Sequence, residues 1–208
     1  KLMERFGTHG IQFIVQIVLA RLLTPDEYGT IAIVLVFINL AQVFVQSGLN
    51  TAIIQKKEAD EVDFSSVFYV SLFIALILYC IIFLTSPHIA SFYDDPILTP
   101  VLRVLALTLF FGAFNSIQNA YVSRKMMFKK LFYSSIGAVV LSGIAGIVAA
   151  YMGLGIWALI IQQLVSQAST TIIMWFTVRW RPKLVFSYTR VKTLFSFGWK
   201  LLVSSLVD

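Results

Sequence analysis

FSSVFYVSLFIALILYCIIFLT, residues 64–85, runs for 22 positions without a charged side chain. At ~1.5 Å per residue a helix of that length reaches ~33 Å, enough to cross a hydrocarbon core of ~30 Å. Outward from it, apolar segments recur at 6–23, 29–54, 98–122, 131–152 and 156–178, and a seventh begins near Val191. The expected fold class is all-α: a polytopic transmembrane helix bundle of six spans with the start of a seventh. Opening on Lys1 and stopping inside an apolar segment, the chain is expected to be part of a longer protein.

Apolar residues make up 59 % of the chain and charged residues 12 %, more apolar surface than a soluble domain of 208 residues can bury. The net charge of +6 would suit nucleic acid, but its placement argues against that partner. Lys1 and Arg5, Lys56 and Lys57, the stretch 124–130 and the stretch 179–192 all fall on one side if the helices alternate. The other side holds Arg21 and Arg103, near the acidic pairs Asp26 with Glu27 and Asp94 with Asp95. The positive-inside rule then puts the N-terminus in the cytoplasm. The first segment carries His9, Gln12, Gln16 and Arg21 and leads into another span, so it reads as a retained helix rather than a signal peptide. Cys80 stands alone, which leaves no disulfide framework or cysteine metal cluster.

Segment ends have local causes. Thr24-Pro25-Asp26-Glu27 supplies a cap, a first-turn proline and acids suited to a helix N-terminus. Ser86-Pro87-His88 is expected to break the third span, and Met152-Gly153-Leu154-Gly155 to turn the fifth helix back into the sixth.

Polar residues inside the spans form stripes. Arg5, His9, Gln12 and Gln16 follow helical spacing in the first segment, and Asn39, Gln42, Gln46 and Asn50 repeat it in the second. The fourth carries Thr108, Asn115, Gln118 and Asn119; the sixth carries Gln163, Gln167 and Thr170, with Gln162 and Ser166 alongside. For a single carboxamide, an interhelical hydrogen bond of ~0.6–2 kcal/mol is the plainer role. Four striped helices together point to a hydrated cavity, because so much amide surface is costly in hydrocarbon. The third and fifth segments lack such a stripe and are expected at the periphery. Ala138, Ser142, Ala145 and Ala149, with Gly146, give the fifth a small face for close packing.

Arg21, near the outer end of the first helix, suits either an anion in the cavity or a snorkel to the headgroups. Arg103 and Arg5 leave the same two roles open. His9 fits an interhelical bond or a titrating site. Trp157, Trp175 and Trp180 fit interfacial anchoring, and Arg124, Lys125, Lys129 and Lys130 fit an orientation signal or anionic lipid contacts.

No Walker loop, dinucleotide fingerprint, HExxH or acidic metal cluster is present in the sequence. No catalytic residue, metal ligand or cofactor is expected, and nothing supports an integral glycosyltransferase. A channel would show a repeated pore motif, and none is visible.

Three stretches carry a resemblance: Arg21-Leu-Leu-Thr-Pro-Asp-Glu-Tyr-Gly29; Gln46-Ser-Gly-Leu49 with Ala52-Ile-Ile-Gln55; and Asn119-Ala-Tyr-Val-Ser-Arg-Lys125. They resemble the N-terminal half of bacterial polysaccharide exporters in the multidrug/oligosaccharidyl-lipid/polysaccharide (MOP) superfamily, especially the O-antigen and colanic-acid type flippases. The resemblance implies two six-helix lobes around a central, often cationic cavity. Residues 1–180 would form the first lobe, and 181–208 a cytoplasmic connector with the start of the second. It implies a flippase of the bacterial inner membrane that turns undecaprenyl-pyrophosphate-linked oligosaccharide repeat units to the periplasmic leaflet by alternating access, for surface polysaccharide biosynthesis. The implied partners are the lipid-linked oligosaccharide, membrane lipids and the polysaccharide polymerase machinery; the coupling ion stays open. Arg21 lies in the matched motif, and its pairing with the pyrophosphate is inferred from its chemistry. Phe6-Gly7 recurs as Phe197-Gly198 at the corresponding point of the seventh segment, as a parallel repeat would have it. The competing reading is a cation-coupled multidrug or metabolite exporter. An acid deep in the bundle would favour it, but Glu4 and Asp63 lie at the inner edges.

Overall fold

The computed structural model describes residues 2–46, 49–56, 59–178 and 180–195, with the side chains of 2–9, 49, 51, 55 and 128 outside that description. Helices follow in the order α1 (Leu2–Leu22), α2 (Pro25–Gln46), α3 (Leu49–Gln55), α4 (Glu61–Phe92), α5 (Leu98–Leu105), α6 (Thr108–Arg124), α7 (Phe128–Tyr151) and α8 (Ile156–Thr177). Residues 188–195 are again helical. The protein is an all-α polytopic membrane bundle. Among the described residues, Pro25–Gln46, Glu61–Phe92, Leu98–Arg124, Lys129–Tyr151 and Ile156–Thr177 are long and apolar enough to cross a membrane, and Gly10–Leu22 is a shorter apolar stretch within α1. Phe13, Phe73, Leu84, Ile144 and Phe176 face outward, the surface that hydrocarbon rather than water would cover.

The third span does not end at Pro87. α4 continues through it to Phe92, because the carbonyl that the proline leaves without its amide donor, that of Phe83, accepts from the Ser86 hydroxyl at 2.9 Å. A neighbouring hydroxyl thus restores the bond that proline removes. The fourth span is likewise continuous but interrupted at Ala106 and Leu107. There the backbone tightens, Leu107 N to Val104 O at 3.2 Å and Phe110 N to Leu107 O at 3.2 Å, and the Thr108 hydroxyl takes up Leu105 O at 2.6 Å.

Turn chemistry acts as the sequence predicts at 24–27 and 152–155. Thr24 N donates to Glu27 Oε2 at 2.7 Å and Glu27 N to Thr24 Oγ1 at 3.4 Å, a reciprocal capping box at the start of α2. Gly153 and Gly155 adopt φ of 74° and 56°, which a side chain would disfavour. The turn lays α8 antiparallel along α7. Ala138, Ser142 and Ala149 are buried, and a Cβ at Gly146 would come within 2.9 Å of Gln162 Cβ, so the small face of α7 does permit close approach.

Connections gather at two ends. At one, Thr30 Oγ1 donates to Asp95 Oδ2 at 3.0 Å, and Glu27 lies against Gly155. At the other, Arg124 donates to the carbonyls of Ile53 at 3.1 Å and of Lys56, closing the C-terminal turn of α3. Lys56 pairs with buried Asp63 at 2.6 Å, and Lys130 Nζ caps α8 on Thr177 O at 2.8 Å. An apolar core joins α1, α2, α4 to α8. A smaller aromatic cluster at the basic end includes Phe64, Phe68, Met174 and Trp180. Phe197, Gly198 and Trp199 lie outside the described residues, as do Ser47 and Gly48.

Candidate functional site

Four helices line a partly open cavity of about 310 Å³, at the small end of ligand pockets, which run from ~300 to ~1,000 Å³. α1 lines it with Gln12, Val15, Gln16 and Leu19; α2 with Tyr28, Ile31, Ala32 and Leu35; α7 with Val139 and Ser142; α8 with Leu159, Gln162, Gln163 and Ser166. None of these carries a formal charge. The wall is amide, hydroxyl and aliphatic, which suits an uncharged, hydroxyl-rich solute better than an ion.

Close packing by α7 helps to shape the cavity, which stays open beside the exposed Gln12 and Gln16. A Cβ at Gly143 would collide with Val15 Cγ2 at 2.6 Å, so glycine lets α1 seat against α7 while the longer glutamines reach across. α7 was expected at the periphery, yet it forms one wall; its contribution is small residues and backbone approach, which a search for carboxamide stripes passes over. Tyr28 was missed too. Its hydroxyl is buried and has no hydrogen-bond partner in the protein, a state that costs ~1–3 kcal/mol unless water or ligand supplies one. The signal in the sequence is a tyrosine one residue past an acidic helix cap.

The predicted polar stripes divide into separate groups. Gln12, Gln16 and Gln163 line the cavity. Gln42, Gln46 and Asn50 instead form a relay: Gln42 Nε2 donates to Thr108 O at 2.9 Å, Gln46 Nε2 to Gln42 Oε1 at 2.7 Å, and Asn50 Nδ2 to Gln46 O at 2.7 Å and to Ser116 Oγ. Gly112 opens the space that the Gln42 amide occupies. Asn115 Nδ2 donates to Gln167 Oε1 at 3.3 Å, tying α6 to α8. Gln118 is buried with both amide atoms lacking a protein partner, a place that calls for bound water.

Asn39, Asn119 and Arg21 are exposed and stand outside the cavity wall. Arg103 is half-buried: its Nε donates to Ser86 Oγ at 3.0 Å and its guanidinium stacks 4.1 Å from the ring centroid of the exposed Phe83. The side chains of Arg5 and His9 lie outside the described residues. Among those described, no cluster of three or more His, Cys, Asp or Glu is placed to hold a metal.

A family model described as "Polysaccharide biosynthesis protein" matches residues 18–208. The chain is 26 % identical over 206 residues to the succinoglycan biosynthesis transport protein ExoT of Rhizobium meliloti, an alignment covering 99 % of this chain and 42 % of that protein. It is 29 % identical over 170 residues to the teichuronic acid biosynthesis protein TuaB of Bacillus subtilis, covering 81 % of this chain and 35 % of that one. Against the lipopolysaccharide biosynthesis protein WzxC of Escherichia coli the identity is 27 % over 206 residues, with coverages of 96 % and 41 %. The chain therefore spans about two-fifths of the length of these relatives. No solved structure is significantly similar to it.

Proposed function

The chain belongs to the polysaccharide biosynthesis protein family, and from that premise we propose that it is the first six-helix lobe of a MOP-type flippase. The carrier moves undecaprenyl-pyrophosphate-linked oligosaccharide repeat units across the bacterial inner membrane, with the N-terminus in the cytoplasm. The observation that carries this reading is the uncharged cavity wall of Gln12, Gln16, Tyr28, Gln162, Gln163 and Ser166. Such groups both donate to and accept from sugar hydroxyls. Because each bond replaces one to water, the net gain is ~0.5–1.5 kcal/mol apiece, enough to orient a glycan without trapping it. A lipophilic cation would want a carboxylate or an aromatic cage, and the lining supplies neither.

The cavity takes one portion of the glycan, while the polyprenyl tail stays in the bilayer. Arg21, exposed on α1 two residues beyond the cavity-lining Leu19, is assigned the pyrophosphate: a guanidinium makes paired charge-assisted bonds to phosphate oxygens. Asn39 and Asn119 are assigned to the surface that the second lobe completes. Membrane lipids and the polymerase machinery remain the proposed partners.

Leaflet transfer of a fluorescent lipid-linked oligosaccharide by the full-length carrier in vesicles tests the assignment. Gln16→Leu combined with Gln163→Leu should lower transfer at least 10-fold, and Tyr28→Phe by roughly 2- to 10-fold, the equivalent of one hydrogen bond. Normal transfer by the double variant would overturn the glycan role of the cavity.

A further inference from the structure

After α8 the chain does not leave the bundle. Trp180 is buried among Phe64 and Tyr121, at ring-centroid distances of 6.0 and 6.1 Å. Lys183 N donates to Ser65 Oγ and Ser187 N to Ser66 Oγ, each at 3.0 Å. Lys183 pairs with Glu61, and Arg190 pairs with Asp60 and lies 3.6 Å from Asp63. Val191 and Leu194 are buried as well. These ties strap residues 180–195 across the first turns of α4.

With that side taken, the outward side shows Leu184 at 96 %, Phe186 at 55 % and Tyr188 at 71 % exposure. We propose that this strap is an interfacial anchor for an anionic leaflet, in which Leu184, Phe186 and Tyr188 enter the boundary between headgroups and acyl chains. Exposed Lys192 then faces the lipid phosphates; the Arg181 guanidinium is held at the end of α8 by the Val178 and Trp180 carbonyls and the Trp175 ring, where its charge adds to the attraction.

Depth supports this. α4 has 32 residues, so it is ~48 Å long and overshoots a ~30 Å hydrocarbon core by ~9 Å at each end if centred. Ser65 and Ser66 stand about 6–8 Å into it at 1.5 Å per residue, at the edge of the core, and the uncharged run begins at Phe64. Residues tied to those two serines therefore sit level with the headgroup boundary. Charge supports it too. Residues 181–195 contain no Asp or Glu, while Asp60, Glu61 and Asp63 are already matched by Arg190, Lys183 and Lys56. The remainder is basic and apolar side by side, the pattern that binds anionic membrane surfaces. Nothing in this depends on what the carrier moves.

The test uses the full-length carrier with its native cysteines replaced, reconstituted in vesicles with and without one-third phosphatidylglycerol in phosphatidylcholine. Nitroxides are attached at Leu184→Cys and Phe186→Cys, exposed positions where folding is not at stake. Both labels should collide with oxygen and be shielded from a water-soluble nickel chelate, more so with the anionic lipid. Lys192→Glu should weaken that lipid dependence, and an unchanged dependence overturns the proposal. Labels open to the chelate, or closed to both probes as they would be beneath the second lobe, overturn the proposal.

Discussion

The Nε of Arg103 donates to the hydroxyl of Ser86 across 3.0 Å, and that same hydroxyl donates to Phe83 O at 2.9 Å. A single serine thus repairs the gap opposite Pro87 and anchors α5 to α4. The arginine also stacks on Phe83, so a residue that the sequence leaves open between a cavity anion and the headgroups also braces α5 against α4.

Ser86→Ala should destabilise the full carrier by ~1–3 kcal/mol, because the Phe83 carbonyl and Arg103 both lose their partner. In a Pro87→Ala background the cost should shrink, since residue 87 then supplies an amide hydrogen to Phe83 O. Apparent melting temperatures of the four proteins in detergent form the comparison. An equal cost in both backgrounds would sink this account.

Gly155→Ala should be worse than Gly153→Ala. Both glycines have positive φ, each worth of order 1–3 kcal/mol against a side chain. At Gly153 nothing lies within 4 Å of the added Cβ, whereas at Gly155 it meets Glu27 Oε1, on the carboxylate whose Oε2 accepts from Thr24 N at the start of α2. Loss of the cap adds ~0.5–2 kcal/mol. Matching melting temperatures for the two variants would show that Glu27 moves aside freely.

The strap should stay docked from pH 5 to 8. Arg190 holds the Asp60 carboxyl at about 2, below its ordinary 3.8, with the Asp63 amide assisting. A depressed folded-state value means that the contribution is complete above about 4 and fades as pH falls toward 2. The pair is solvent-exposed, so salt weakens it throughout. Spin-label distances between positions 62 and 189 should hold constant over pH 5–8 and lengthen below pH 3; lengthening near neutrality contradicts the assignment.

Sidedness is open to direct labelling in intact cells. In a background without Cys80, a cysteine at Asp94 should react with an impermeant thiol reagent and one at Lys125 should not, both positions being exposed. The reverse result inverts the proposed orientation.

Much of the fold was legible because lipid imposes simple rules. A segment such as 64–85 has to be a helix, since hydrocarbon offers no partner for its backbone, and the small face of α7 announces close packing. The expected stop at Pro87 failed for a local reason: Ser86 sits next to the proline, and a hydroxyl one residue away substitutes for the missing amide. The polar site was half legible. Helical spacing collects Gln12 with Gln16 and Gln42 with Gln46 on shared faces, but spacing within one helix carries no information on which neighbour that face meets.

The sequence by itself determined that this chain is a membrane bundle, that it turns at 24–27 and 152–155, and which residue faces are polar, because these depend on length, hydropathy and local backbone chemistry. Only the tertiary structure decided that Gln12 and Gln16 meet Gln163 and Tyr28 around a cavity while Gln42 and Gln46 are spent on a relay between helices. It also set Arg103 against Ser86 and Phe83 and strapped 180–195 across α4. These outcomes rest on helix rotation and on glycines 112, 143 and 146 setting interhelical distance. They are pairings between residues more than a hundred positions apart in some cases, and packing alone selects them.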